Sequence, residues 1–326
     1  MTSTRQPKEL LDSELASLIE PFAWITYNDE TIPEMRQLLG EAAPESTGAV
    51  ERSDVIVAAD LDIVVRVHRP WEVAADAPAI LSMHGGGYVI GNRNLDDQRL
   101  ERMCSTLGCI GFSVEYRLAP EHPYPAPLED CYTALRWLFE HADDLGVDRS
   151  RIGVTGVSAG GGLAASLALL ARDLGEFRLA FQALECPMLD DRQRTPSSQL
   201  DGLPMWSREA NAFGWRSYLG PRYGTTDVPA YAAPARARDL AGVPPTFISV
   251  GALDGFRDED VEFATRLYQA GVPTDLHVHA GAPHGFHMFA GTALADRAND
   301  DLDRWLAAQL ARSATAPSAA PEDALR

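Results

Sequence analysis

Five residues, Gly156-Val157-Ser158-Ala159-Gly160, constrain this chain more than any other feature, because their setting allows one local shape. They follow a β-rich run, Arg151 to Val157, and precede an Ala/Leu-rich helical run, Gly161 to Leu174. Gly-x-Ser-x-Gly between a strand and a helix is the pattern of a strained turn that pushes a serine hydroxyl into the open. A second motif, His84-Gly85-Gly86-Gly87, follows another apolar run, Ala79 to His84. Bare N–H groups in such a loop can meet a developing oxyanion. Either motif alone arises by chance. The two together, each after a strand-like run and in this order, set out the parts for acyl chemistry.

The rest of the chain supplies the frame for such a turn. Short β-rich runs are expected at Asp62–His68, Ala79–His84, Ile110–Tyr116, Arg151–Val157, Ala180–Cys186, Thr246–Val250 and Thr274–His279. Helices are expected between them at Leu95–Leu107, Leu128–His141, Gly161–Leu174 and Asp258–Ala270, with a final one over Leu294–Ala311. Regular alternation of this kind predicts an α/β class with one mostly parallel central sheet flanked by helices. Two segments break the rhythm. Residues 1–45 read as an N-terminal helical cap, with Phe22, Trp24 and Tyr27 supplying bulk. Residues 192–223 read as an insertion rich in aromatics (Met205, Trp206, Phe213, Trp215, Tyr218), placed where a lid would sit. The catalytic domain is expected over 46–311, and the Ala/Ser/Pro-rich tail 312–326 is expected to be disordered.

Charge and cysteine usage narrow the partners. A formal net charge of −19 repels phosphate, which argues against nucleic acid and against anionic membrane surfaces. Met1 to Leu18 is polar and charged, so neither a signal peptide nor a membrane span is expected there. Cys104, Cys109, Cys131 and Cys186 show no metal-ligand spacing and no C-x-x-C pair. They read as reduced, mostly buried thiols of a cytoplasmic protein, with no metal and no cofactor.

A serine hydroxyl needs a base to take its proton, and that base needs a carboxylate to orient it. Behind a Gly-x-Ser-x-Gly elbow the acid and then the histidine follow in chain order. Asp254 follows the β-run ending near Gly251, and His284 follows the run near His279. Both therefore belong at the sheet edge where Ser158 emerges. Among the alternatives, His277 and His279 fall within a strand and His287 lies further from its end. Asp258 and Asp260 read as the acidic first turn of the next helix. The oxyanion would be met by the N–H of Ala159, after the nucleophile, and by the glycine loop opposite.

The two glycine motifs, with Glu115-Tyr116-Arg117-Leu118-Ala119-Pro120-Glu121-His122-Pro123-Tyr124-Pro125-Ala126, closely resemble the hormone-sensitive-lipase-like (family IV) carboxylesterases of the α/β-hydrolase fold. Leu253-Asp254-Gly255-Phe256-Arg257-Asp258-Glu259 and Pro283-His284-Gly285-Phe286 resemble that family's acid and base blocks, and the likeness covers about Ile80 to Phe289. The resemblance implies a Ser158–Asp254–His284 triad and an oxyanion hole from Gly86, Gly87 and Ala159. Gly85 then shapes the turn, and His84 is a structural hydrogen-bonding residue. It also implies a cofactor-free esterase acting on short- to medium-chain small-molecule acyl esters, often as a homodimer, for which Thr274–His279 offers an edge. One departure stands out: relatives commonly carry Asp or Glu just before the nucleophile, where this chain has Val157. An amide, carbamate or lactone hydrolase would use the same triad, and a non-catalytic binding protein would be expected to have lost part of it.

Overall fold

In a computed structural model, which describes residues 9–22, 25–41 and 46–311, the chain forms one eight-stranded sheet covered by helices. Two short helices come first, α1 (Ser13–Ile19) and α2 (Ile32–Glu41). An antiparallel pair follows, β1 (Val50–Ala58) and β2 (Ile63–Pro70), then β3 (Ala77–Met83), α3 (Asp97–Leu107), β4 (Ile110–Glu115) and α4 (Ala126–Glu140). The elbow lies between β5 (Val147–Val157) and α5 (Ala159–Leu174), and β6 (Gln182–Glu185) comes next. The insertion contributes α6 (Arg208–Leu219). The chain closes with β7 (Thr246–Leu253), α7 (Arg257–Gln269), β8 (Thr274–Pro283) and α8 (Ala293–Leu310).

Spatial order is β1-β2-β4-β3-β5-β6-β7-β8; β2 is antiparallel to β1 and β4, and every later pair is parallel. β3, β4 and β6 are buried along almost their whole length, which is why they read as unbroken apolar runs. Helices on both faces demand this, because each face must shed water. α5 lies against the centre with all but a few of its residues buried, and its small Ala and Gly side chains let it approach the sheet closely. Opposite, Phe181, Phe247, Leu302 and Leu306 fill the space between the sheet and α8.

Several elements depart from the sequence expectation, β7 for instance running to Leu253 rather than Val250. β1 went unread because its outward residues leave no continuous apolar run. β5 begins four residues early, at Val147, through a polar stretch containing Asp148, Arg149 and Ser150. β8 continues past His279 to Pro283, which brings it to the level of Leu253 on β7. Trp24 and the tail 312–326 lie outside the described residues. Among the described residues, no helix is long and apolar enough to cross a membrane.

Candidate active site

The elbow's glycines are required by space. A Cβ on Gly156 would stand 2.2 Å from the Gly160 carbonyl oxygen, and one on Gly160 would stand 2.0 Å from that of Met83. Ser158 between them holds φ 57° and ψ −119°, a conformation L residues rarely adopt. Such a residue typically costs about 1–3 kcal/mol and persists only where its surroundings hold it. Here the Ser158 N–H donates to the Glu185 carbonyl at 2.8 Å. Its own carbonyl accepts from Gly162 N at 3.0 Å and Met188 N at 2.9 Å.

The strained turn aims Ser158 at the base. Ser158 Oγ lies 3.0 Å from His284 Nε2, and His284 Nδ1 lies 2.8 Å from Asp254 Oδ2. Asp254 Oδ1 accepts from Phe256 N at 2.9 Å, so both carboxylate oxygens are engaged. The Phe256 ring meets the imidazole edge-on at 5.1 Å and fixes its plane. Burial works against the imidazolium, but the Asp254 carboxylate outweighs it and holds the His284 pKa above its ordinary value. The serine is not open to bulk water. Ser158 retains 4% of its surface and His284 9%, so both are largely shielded from solvent.

The glycine loop leaves β3 beside the elbow, since Met83 pairs with Gly156. Gly86 (φ 121°) turns the chain there; its carbonyl accepts from Val89 N and Ile90 N at 3.0 Å, and a Cβ would strike Ile90 O at 2.2 Å. Among the described residues, no acceptor is engaged by the N–H of Gly86, Gly87 or Ala159. His84 is fully buried, stacks on Tyr116 at 4.1 Å, and bonds Gly85 O through Nδ1 at 2.8 Å. Tyr116 in turn donates to His84 O at 2.7 Å, which makes His84 part of the loop's support.

The remaining candidates take no part in the Ser158–His284–Asp254 relay. His279 bonds Ser249 Oγ at 3.1 Å, and His277 faces Asp301 at 3.5 Å. His287 is buried with Nε2 3.8 Å from Glu185 Oε1. Asp258 accepts from Ser197 N at 2.7 Å, and Asp260 is buried at the start of α7. Three residues neighbour the site in ways the sequence reading did not place: Cys186, read there only as a buried thiol, Asp260, read as the acidic first turn of a helix, and Trp206, read as part of a lid. Cys186, just past β6, brings its Sγ within 4.8 Å of ligand atoms of both Asp254 and His284. Asp260 is buried near Glu259 and Asp254, and burial with those acids beside it holds its carboxyl well above the usual range. Trp206 lies against Gly87, its Cη2 2.2 Å from where a Cβ would stand, and 6.3 Å from the His284 ring. The signal for Cys186 was its place at a strand's C-terminal end, the same clue that located Asp254 and His284. Val157 packs with Cys186 and Val250, so the position before the nucleophile is apolar here.

Both early helices touch this region. The Arg36 guanidinium on α2 donates to Val89 O at 2.7 Å, to Ala119 O at 2.8 Å and to the Glu121 carboxylate. Leu15 on α1 packs with Ala282 and Phe286, on either side of His284. Tyr27 meets Trp206 at 4.9 Å.

A serine held at a strained turn, a histidine and carboxylate in relay behind it, and a parallel sheet carrying them at one edge define the class of α/β-type serine hydrolases. A family model described as alpha/beta hydrolase fold matches residues 80–288. The chain is similar to esterase LipI of Mycobacterium tuberculosis, 40% identical over 68% of this chain and 69% of that one. Among solved structures it is similar to a bacterial heroin esterase, with a TM-score of 0.88, 39% identity, and 94% and 99% of the two chains covered. It is also similar to esterase LipW from Mycobacterium marinum, with a TM-score of 0.86, 34% identity, and 94% and 99% coverage. The chain belongs to the α/β-hydrolase fold family, in its hormone-sensitive-lipase-like branch, and is a carboxylic ester hydrolase.

Proposed function

We propose that Ser158, His284 and Asp254 are the catalytic triad, with the N–H groups of Gly86, Gly87 and Ala159 as the oxyanion hole. The observation that carries this is the relay of 3.0 Å and 2.8 Å from Ser158 Oγ through His284 to Asp254. Ser158 Oγ attacks the ester carbonyl as His284 Nε2 takes its proton. The carbonyl oxygen gains charge, and the three N–H groups without protein acceptors meet it; one such donor is worth roughly 3 kcal/mol. His284 then gives the proton to the departing alcohol. A water activated by the same nitrogen releases the acid from the acyl-enzyme, and Asp254 keeps the Nδ1 proton in place throughout.

The substrates of this reading are short- to medium-chain acyl esters. The indole of Trp206 against Gly87 supports it, because a ring so placed limits the room beside the oxyanion loop. In the same reading residues 192–223 act as a lid, residues 1–45 as a cap, and the enzyme works in the cytoplasm. The outer edge of β8 is where a second copy would add its strand, and light scattering decides between monomer and dimer. The test of the triad is hydrolysis of p-nitrophenyl esters from acetate to dodecanoate by the wild type and by Ser158→Ala. Activity that peaks at short chains and vanishes in the variant is expected. Turnover that survives Ser158→Ala would overturn the assignment.

A further inference from the structure

We propose that Cys186, His284 and Asp254 form a site for a thiophilic divalent cation, zinc being the physiological case, and that its occupation stops ester hydrolysis. The inhibitory half of this rests on the triad reading above; the binding half does not. Sγ of Cys186, a ring nitrogen of His284 and a carboxylate oxygen of Asp254 lie within 4.8 Å of one another, all three residues buried. Thiolate, imidazole and carboxylate are the donors zinc uses, at about 2.3, 2.0–2.1 and 2.0–2.2 Å. Tetrahedral ligation at those lengths puts donor atoms roughly 3.4–3.8 Å apart. Side-chain rotations of about an ångström therefore suffice.

Cys186 is directed there by its backbone. It sits at φ 39°, directly after β6, with its N–H donating to Ser249 O at 2.6 Å. A second observation points to a cation independently. Asp260 is fully buried, and neither of its carboxyl oxygens has a hydrogen-bond partner among the described residues. Burial first, and then the neighbouring Glu259, Asp254 and Cys186, hold its carboxyl well above the usual range, so it stands as an uncharged acid without such a partner beside the donor set. A buried acid without a partner is costly, and a cation beside it lowers that cost. The His284 side chain keeps 11% of its surface exposed, so the donor set is not wholly sealed from solvent.

The proton balance is simple. Binding releases to solvent the proton of the Cys186 thiol and, from the imidazolium form of His284, one ring proton as well, leaving a single N–H on the nitrogen that does not face the ion. With the ion at Nδ1, that N–H turns toward Ser158 and cannot accept its proton. With the ion at Nε2, the lone pair the serine needs is taken. No electron transfer is involved.

The experiment uses two readouts. First, the full-length Ser158→Ala protein is titrated with Cd²⁺, and the ultraviolet thiolate-to-cadmium charge-transfer band is followed. A band saturating at one ion per chain is expected, and the further change Cys186→Ala should abolish it. Second, Zn²⁺ should inhibit wild-type p-nitrophenyl acetate hydrolysis and EDTA should restore it. Cys186→Ala, compared with its own metal-free rate, should need at least about tenfold more zinc. If Cys186→Ala does not fold, Cys186→Ser keeps the shape and should lose the band equally. The absence of a band, or a band carried by Cys104, Cys109 or Cys131 and indifferent to residue 186, overturns the site. Equal zinc sensitivity in both proteins overturns the inhibition. A wild type inactive on every ester, with the band still lost in Cys186→Ala, would instead sink the triad reading and leave the metal site standing.

Discussion

Removing Arg99 should destabilise the fold measurably, and the amount follows from where its partner lies. Glu185 ends β6 with 4% of its side chain exposed, and its backbone carbonyl holds the N–H of Ser158. Arg99 Nε meets Glu185 Oε2 at 2.6 Å and Nη2 meets it as well, while Nη2 also donates to Thr155 Oγ1 at 2.6 Å and Nη1 to Ser82 Oγ at 3.2 Å. Arg99→Met leaves a carboxylate buried without its main counter-charge, a loss typically of about 3–5 kcal/mol. The low end applies, because Arg102 still acts on the Glu185 carboxylate when Arg99 is gone, although burial keeps the nearby His287 imidazole below its ordinary pKa and so uncharged. A chain of 326 residues loses about 1.5 °C of Tm per kcal/mol, so a fall of roughly 4–6 °C at pH 7.5 is expected by calorimetry. Arg99→Met/Glu185→Gln, which removes the stranded charge, should recover more than half of it.

The pH dependence checks the cause. Burial pushes the Glu185 carboxyl up, but the guanidinium and its neighbours win and hold it below the usual range. A depressed carboxylate adds stability above its unfolded pKa of about 4.3 and loses it as pH falls through the lower folded value. The deficit of Arg99→Met should therefore shrink toward pH 4, where its Glu185 protonates readily. A single variant within about 1 °C of wild type would refute the reasoning, as would a double variant no more stable than the single one.

Three other outcomes follow from the site. Asp254→Asn keeps the hydrogen-bond geometry but favours the wrong imidazole tautomer, so kcat/KM should drop about 10⁴-fold with the fold intact by circular dichroism. Because Asp254 holds the His284 pKa up, activity should fall on the acid side with a midpoint above the ordinary value of about 6.5, since the protonated ring cannot act as base. A pH–rate profile flat from about pH 5 to pH 9 would remove His284 from that role. Trp206→Ala opens the space beside Gly87, and each further methylene buried there is worth about 0.8 kcal/mol. The octanoate-to-acetate ratio of kcat/KM should then rise on the order of tenfold; an unchanged ratio would show that the indole does not bound the acyl pocket.

What the sequence made legible was local. Gly156 and Gly160 stand where a Cβ cannot, and the serine between them is strained, so the motif carried its own geometry. Buried parallel strands such as β3 and β6 showed as apolar runs because both faces are covered. β1 did not, because an edge strand with Glu51, Ser53 and Asp54 exposed has no such run. The start of β5 was hidden for the same reason, behind Asp148 and Arg149. The contacts of Trp206 and Asp260 were not legible at all, since they depend on how an insertion and a helix settle onto the loops.

Register explains both the triad and the residue that joins it. Val157 pairs with Glu185, Glu185 with Ser249, and Leu253 with Pro283. The next residue after Val157, Glu185, Leu253 and Pro283 is Ser158, Cys186, Asp254 and His284. β5 and β6 end at one level and β7 and β8 run on, by four residues on β7, so the loops after four adjacent parallel strands bring those four side chains together at one edge of the sheet. Spacing along the chain cannot announce a ligand set built this way, because its members come from three loops up to 98 residues apart. Whatever stands at position 186 therefore neighbours the base, and a side chain there acts on catalysis by location alone. An apolar residue would only fill space. A thiol adds a soft donor beside an imidazole and two carboxyls, and with Val157 before the nucleophile it is the polar neighbour on that side. The same register that assembles the hydrolytic machinery thus exposes it to a thiophilic ion, and Cys186→Ser, which keeps the shape and removes the soft donor, separates the two consequences.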